Sequence, residues 1–215
     1  TGMNVEKITP YASGESKRIQ ITHTFDVIAN RYDRLNRVLS LGIDLLWRRK
    51  AIRLLRDDQP AHLLDVATGT ADFAIMAARR LPHALITGID LSEGMLRIGR
   101  AKVAAAQLNE RIQLQSGDCL SLDFADASFD AALAAFGVRN FENMASGFAE
   151  LRRVIKPSGR LIILELSEPK VFPLRAFFRL YLHHIIPFAG RLLTGHTREY
   201  RYLPASIEQV PQGEA

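Results

Sequence analysis

The chain has 215 residues, of which 47% are hydrophobic and 24% charged, with a formal net charge of +5 and a pI near 9.6. This length buries a sizeable core within one main domain. The composition is that of a soluble globular protein: no run approaches the roughly 18 apolar residues of a membrane span, no signal peptide opens the sequence, and the single Cys119 excludes an internal disulfide and fits a reducing compartment. The positive charge is dispersed as Arg48, Arg49 and Lys50, then Arg97, Arg100 and Lys102, then Arg152, Arg153 and Lys156, without aromatic stacking residues interleaved; it reads as solvated helix faces and argues against a nucleic-acid partner, while attraction to an anionic membrane surface stays open.

In chain order, the first 15 or so residues are polar and irregular and read as a mobile start. From 15 to 56 the period is helical, with Phe25, Ile28, Ala29 and Tyr32 on one face and then Leu35, Leu39, Leu45 and Leu46. Ser40-Leu41-Gly42 divides this stretch into more than one helix. After Pro60 strands and helices alternate: strand 62–66, helix 71–80, strand 85–89, helix 93–107, strands 112–115 and 129–135, helix 141–155 and strand 160–166. That alternation predicts a doubly wound, mostly parallel α/β sheet over 57–215, capped by helices from 1–56. The ligand crevice of such a sheet lies at the carboxyl ends of its strands, where Asp65, Asp90, Asp118 and Phe136-Gly137 fall. The aromatic segment at about 172–193, broken by Pro187, reads by default as core, with a lid or a membrane-touching surface as alternatives.

The chemistry is carried by Asp65-Val66-Ala67-Thr68-Gly69-Thr70-Ala71-Asp72, an apolar strand ending on an acid and turning through small residues. About 18 residues further on, Gly88-Ile89-Asp90 ends a second strand on another acid. Together they describe a nucleoside pocket. Gly69 and its neighbours let the backbone approach a ligand, the following helix presents free N–H groups, and Asp90 can accept both ribose hydroxyls. The positions of a G-x-G-x-x-G dinucleotide loop hold Ala67, Gly69 and Asp72 here, and a carboxylate in the third place repels a pyrophosphate. Asp65 is instead placed to meet the cationic methionine end of S-adenosylmethionine, and Thr70 its carboxylate. Asp118, after the third strand, can accept from an adenine amino group. Ala134-Ala135-Phe136-Gly137 lacks the Asn- or Asp-Pro-Pro-aromatic tetrad expected of base N-methyltransferases. Arg139 places a cation at the mouth of the crevice, and Lys156-Pro157-Ser158-Gly159-Arg160 is a turn into a strand.

On these residues the chain resembles the quinone C-methyltransferases of menaquinone and ubiquinone biosynthesis. The matching segments are Phe25-Asp26-Val27-Ile28-Ala29-Asn30-Arg31-Tyr32-Asp33, Ser40-Leu41-Gly42-Ile43-Asp44 with Leu46-Trp47-Arg48-Arg49, the loop at 65–72, Phe136-Gly137-Val138-Arg139-Asn140, and Tyr200-Arg201-Tyr202-Leu203-Pro204-Ala205-Ser206-Ile207. The resemblance implies a class I, Rossmann-like methyltransferase with S-adenosylmethionine as cofactor, contacted by Thr70, Asp90, Asp118 and Cys119. Many such relatives carry glycine at position 71 and serine at 135, where this chain has Ala71 and Ala135. They also continue past the position of Ala215 with a helix and a β-hairpin, so the sheet is expected to lack that closing hairpin. The implied reaction moves a methyl group to a ring carbon of a reduced prenylated quinone, demethylmenaquinol first and a ubiquinone-precursor benzoquinol second. An NAD(P) oxidoreductase and a non-catalytic binding module are the alternatives from other classes. Arg139 is the first candidate to stabilise a developing phenolate, Tyr32 the second, with Asp33 and His23 behind them. The implied setting is cytoplasmic, with peripheral contact at the inner face of the cell membrane and a homodimer left open. The N-terminal helices and the aromatic helix are expected to lie together over the carboxyl edge as a partly mobile lid.

Overall fold

The computed structural model describes residues 4–11, 13–40, 42–166, 169, 171–185, 202 and 205–207. Leu41, the tail segment beyond Ile185 with Pro187 and Phe188, and most of the motif at 200–207 lie outside the described residues, as do the side chains of Leu35 and Leu39.

Two helices open the chain, α1 (Lys17–Leu39) and α2 (Ile43–Arg53). They part where Gly42 takes φ +76° and its N–H donates back to the Arg37 carbonyl at 3.0 Å; a Cβ there would meet nothing within 4 Å, so backbone conformation and not space calls for glycine. Strands β1 (His62–Val66), β2 (Leu85–Asp90), β3 (Ile112–Ser116), β4 (Phe129–Ala135) and β5 (Ile155–Leu164) then alternate with α3 (Asp72–Arg80), α4 (Glu93–Ala105) and α5 (Met144–Val154), and α6 (Leu174–Leu180) follows. All pairs are parallel in the order β3-β2-β1-β4-β5, so the strand order reverses between β1 and β4. That reversal opens the crevice in which sheets of this kind bind ligands.

Alternation along β1 decides which layer each side chain joins. Leu63 points into the core with Ile52, Leu55, Phe73, Ala77 and Leu96 of α2, α3, α4 and their flanks, whereas Leu64 and Val66 join Leu151 and Val154 of α5 on the opposite face. α1 belongs to neither layer. It crosses the carboxyl edge and packs Ile28 and Ala29 on Met95 of α4.

Two expectations change. Among the described residues the opening segment is anchored to the body of the molecule: Asn4–Lys7 form a 3₁₀ turn, Val5 is fully buried, Glu6 accepts from the Met144 N–H at 2.8 Å, and Lys17 Nζ donates to the carbonyls of Val5 (2.7 Å) and Arg139 (2.9 Å). And β5 begins five positions before the expected start at 160, because Ile155 already pairs with Phe129 and the Pro157-Ser158-Gly159 segment is a bulge within the strand.

Candidate active site

Between β1 and α3 the chain alternates through left-handed conformations, with φ of +52° at Ala67, +57° at Gly69 and +65° at Ala71; Phe136, just after β4, has +60°. Alanine and phenylalanine are strained in this region, and Ala67, Ala71 and Phe136 lie at the switch point. The loop sits close on the sheet because position 88 of β2 is glycine: a Cβ there would lie 2.6 Å from Leu114 Cδ2 and 2.9 Å from Thr68 Oγ1. Ala71 leaves α3 without a side-chain cap at its N-terminus.

A cleft open to solvent runs along the carboxyl ends of β1 to β4. α1 supplies one wall with Ile21, Phe25 and Tyr32; Asp90, Asp118, Cys119, Phe136, Gly137 and Asn140 supply the rest. Asp90 ends β2 with its carboxylate held square: Oδ2 accepts from the Gly69 N–H at 2.8 Å and Oδ1 from the Ser92 N–H at 2.9 Å. Each oxygen keeps a lone pair for a further donor. Burial raises its pKa, against the pull of those backbone donors. Asp118 accepts from the Leu120 N–H at 2.9 Å and pairs with Arg18 Nε at 3.3 Å. Burial, with Asp118 next, pushes the Cys119 thiol up to about 12, so it stays neutral and is no nucleophile.

Tyr32, Ala67, Gly69 and Ala135 are shared with a second, smaller space beneath the loop, lined also by Asp33, Asp44, Arg48, Asp65, Thr70 and Asp72. Here lie four carboxylates. Asp65 accepts from Thr68 Oγ1 at 2.6 Å, and its pKa rises to about 6, chiefly through burial, against the Thr68 bond and the Arg48 charge. Asp72 and Asp33 both bind Lys102, the latter at 2.6 Å, and Thr70 Oγ1 donates to Asp33. Arg37 bridges Asp44 (2.7 Å) and Asp72 (3.0 Å). Burial works against ionisation of Asp72, but Lys102, Arg48 and Arg37 outweigh it and hold its carboxyl below the usual range.

The expected site residues therefore divide between the two spaces. Asp90, Asp118 and Cys119 line the cleft; Asp65 and Thr70 line the chamber; Gly69 and Tyr32 line both. Burial raises the Tyr32 pKa, so its phenol stays protonated, a hydrogen-bond donor and not a base. Arg139 is not at the mouth. It is 6% exposed behind the cleft wall, where Nη1 donates to the Phe136 carbonyl at 2.6 Å and to Glu165 Oε1 at 2.5 Å. Burial opposes its charge, but Glu165, with Tyr32 and Tyr202 behind it, raises its pKa on balance. His23 packs edge-on against Tyr11, ring centroids 5.7 Å apart, and is absent from the cleft lining.

α1 covers the carboxyl edge as expected, and polar contacts tie it to the sheet's flanking helices. Asp26 accepts from Ser92 Oγ (2.5 Å) and the Gly94 N–H (2.9 Å) at the start of α4, and Asp33 and Arg37 tie its far half to Lys102 and Asp72. α6 does not join it. No residue of α6 lines the cleft among the described residues, and Phe178 packs instead with Leu182, Tyr181, Leu166 and Ile207. Asp26, Lys102 and Glu165 carry no sequence signal that marks them as positioning residues, and the basic run around Arg48 resembles a solvated face. The spacing Asp44, Arg48, Ala51, Ile52, all buried, would have placed Arg48 on the inner face of α2.

A parallel sheet reversing at β1/β4, an acid closing β2 and a small-residue loop over a two-part cavity define the class I methyltransferase fold. In line with that, a putative S-adenosyl-L-methionine-dependent methyltransferase from Methanococcus maripaludis superposes with a TM-score of 0.60 at 22% identity, covering 76% of this chain and 73% of its own. The [4+2]-cyclase SpnF superposes equally well, with a TM-score of 0.59 at 22% identity over 73% of this chain and 62% of its own, so the fold alone does not specify methyl transfer. Sequence does: residues 12–215 match the ubiE/COQ5 methyltransferase family, and the chain belongs to it. A demethylmenaquinone methyltransferase of Bacteroides fragilis is 48% identical over 209 residues, 97% of this chain and 85% of the relative. A ubiquinone/menaquinone biosynthesis C-methyltransferase UbiE of Geotalea daltonii is 43% identical over 193 residues, 89% and 82% respectively.

Proposed function

We propose that this methyltransferase uses S-adenosylmethionine to methylate a ring carbon of a reduced prenylated quinone, demethylmenaquinol in preference to a ubiquinone-precursor benzoquinol. One observation carries the cofactor reading: the cleft with the open Asp90 carboxylate shares Tyr32, Ala67, Gly69 and Ala135 with a second space lined by charges of both signs. That pairing suits a ligand with a nucleoside at one end and an amino acid at the other. The preference for a naphthoquinol rests on relatives named demethylmenaquinone methyltransferases at 44–48% identity.

In this reading Asp90 holds the ribose hydroxyls, Asp118 and the Cys119 segment face the adenine, and Asp65 meets the methionine end. The cofactor supplies an electrophilic methyl group on a sulfonium. The chain supplies alignment and a place for negative charge on a quinol oxygen. Tyr32, at the junction of the two spaces, donates a hydrogen bond to that oxygen. Arg139 acts from behind the wall, fixing the Phe136-to-Asn140 turn and offsetting the phenolate charge. Ile21, Phe25 and Phe141 give apolar surface to the ring. The exposed side chains of Phe172, Leu174 and Phe177 on and before α6 support a transient contact with a membrane surface, where a polyprenyl substrate resides. Transfer of labelled methyl from S-adenosylmethionine to chemically reduced demethylmenaquinone, with ubiquinone precursors in parallel, tests the reading.

A further inference from the structure

Arg48 is 7% exposed and lines the chamber beneath the loop. Its guanidinium carbon lies 5.3 Å from the ring centroids of both Phe73 and Phe136, which fix its plane. Its Nε is buried without a hydrogen-bond partner. The nearest carboxylate, Asp44 Oδ2, is 3.7 Å away and already accepts from Arg37 at 2.7 Å, while Asp44 Oδ1 accepts from Ser40 Oγ at 2.7 Å. The other carboxylates of the chamber are similarly engaged: Asp65 by Thr68, Asp33 by Thr70 and Lys102, Asp72 by Lys102 and Arg37. A buried guanidinium with an unsatisfied donor is costly, and a planar anion that accepts from its fork removes the cost.

We propose that Arg48 is the anchor for the α-carboxylate of the cofactor's methionine end, with Asp65 across the chamber facing the α-ammonium. The assignment rests on the cofactor reading above and replaces Thr70 as the carboxylate ligand, because the Thr70 hydroxyl is committed to Asp33. The charges fit. Asp33, Asp44, Asp65 and Asp72 face Arg37, Arg48 and Lys102, leaving the chamber one negative charge in excess when all are ionised. S-adenosylmethionine, with its sulfonium and zwitterionic end, brings one positive charge. A carboxylate set among four others needs a dedicated cation, and Arg48 is the chamber cation whose donor is free.

The test is calorimetric and needs no turnover. Wild type, Arg48→Met and Arg48→Lys are titrated with S-adenosylmethionine and S-adenosylhomocysteine, which carry the carboxylate, and with decarboxylated S-adenosylmethionine and 5′-methylthioadenosine, which lack it. Arg48→Met, which keeps a chain of similar reach between the two rings, should weaken the first pair about 10- to 100-fold and change the second pair by less than about threefold. Arg48→Lys, a point charge without the fork, should give an intermediate loss confined to the first pair. Equal weakening of all four ligands, or of none, in folded variants assigns Arg48 to packing alone and overturns the proposal. Failure of wild type to bind any of the four overturns the cofactor reading itself, a distinct result.

Discussion

At the scale of single residues, Asp65 shows how a proposed binding group weighs on the fold that holds it. Its carboxyl is 1% exposed and its pKa in the folded chain is about 6, against 3.8 for the ordinary group. A folded pKa above the unfolded one means that the folded chain holds the proton more tightly. The stability due to this group is therefore greatest below pH 4, falls between pH 4 and 6, and stays lowest above. The rise from 3.8 to about 6 corresponds to on the order of 3 kcal/mol. Asp65→Asn should accordingly raise the stability of the ligand-free protein above pH 6, by up to about that amount, and weaken S-adenosylmethionine binding. Urea unfolding at pH 5 and 8 together with calorimetry checks both arms; a destabilised variant at pH 8 would contradict the burial argument.

Arg139 and Glu165 form a pair with side-chain exposures of 7% and 10%. Removing one partner leaves a buried charge uncompensated, so Arg139→Met alone should cost about 3–5 kcal/mol of stability. The double variant Arg139→Met, Glu165→Leu should regain most of that loss. Its turnover should stay depressed, because the guanidinium charge behind the cleft wall is still missing. Near-normal turnover in a well-folded double variant would remove Arg139 from the chemistry.

Among the elements, α1 matters most for the site, and it is held at its start by a clasp. Lys17 donates to two backbone carbonyls, those of Val5 and Arg139, drawing the opening turn and the turn beneath the cleft together. Lys17→Met leaves both carbonyls without that donor and should cost about 1–3 kcal/mol. Hydrogen exchange should quicken at Val5 to Lys7 and at the Met144 amide; unchanged exchange there would show that the clasp is incidental.

Elements with a strong local signal were legible in the sequence. β1 and β4 fall where their apolar runs place them, and α4 starts at its Ser92 cap, whose hydroxyl accepts from the Met95 N–H at 3.1 Å. The failures share a cause: each depends on a partner distant in sequence. The opening turn is polar in composition and is ordered by Met144, 138 positions away. Arg139 reads as a surface cation until Glu165, 26 positions on, is brought beside it. Arg48 stands in a basic run, and only the packing of Phe73 and Phe136 against it shows that it points inward. The acids ending β1 and β2 were legible because strand-end position alone dictates their place.

For the whole molecule, the proposed function raises the question of how a water-borne cofactor and a prenylated substrate reach one cleft. No helix among the described residues is long and apolar enough to cross a membrane. Phe172 and Phe177 are nonetheless 82% and 66% exposed on the aromatic segment around α6, away from the cofactor cleft. Phe172→Glu with Phe177→Glu should lower sedimentation with anionic vesicles and raise KM for a long-chain quinol, leaving S-adenosylhomocysteine affinity unchanged. Undiminished vesicle sedimentation, or an unchanged KM, would contradict a membrane role for this surface.

The central claim is that the cleft joins a sulfonium methyl donor to a quinol ring. The most direct measurement is incubation of the protein with methyl-labelled S-adenosylmethionine and reduced demethylmenaquinone under anaerobic conditions, followed by mass analysis of the lipid extract. One label per quinone is expected, attached to a ring carbon, formed faster than on a benzoquinol precursor and absent when the quinone is left oxidised. Label on oxygen, or equal incorporation into the oxidised quinone, would contradict it.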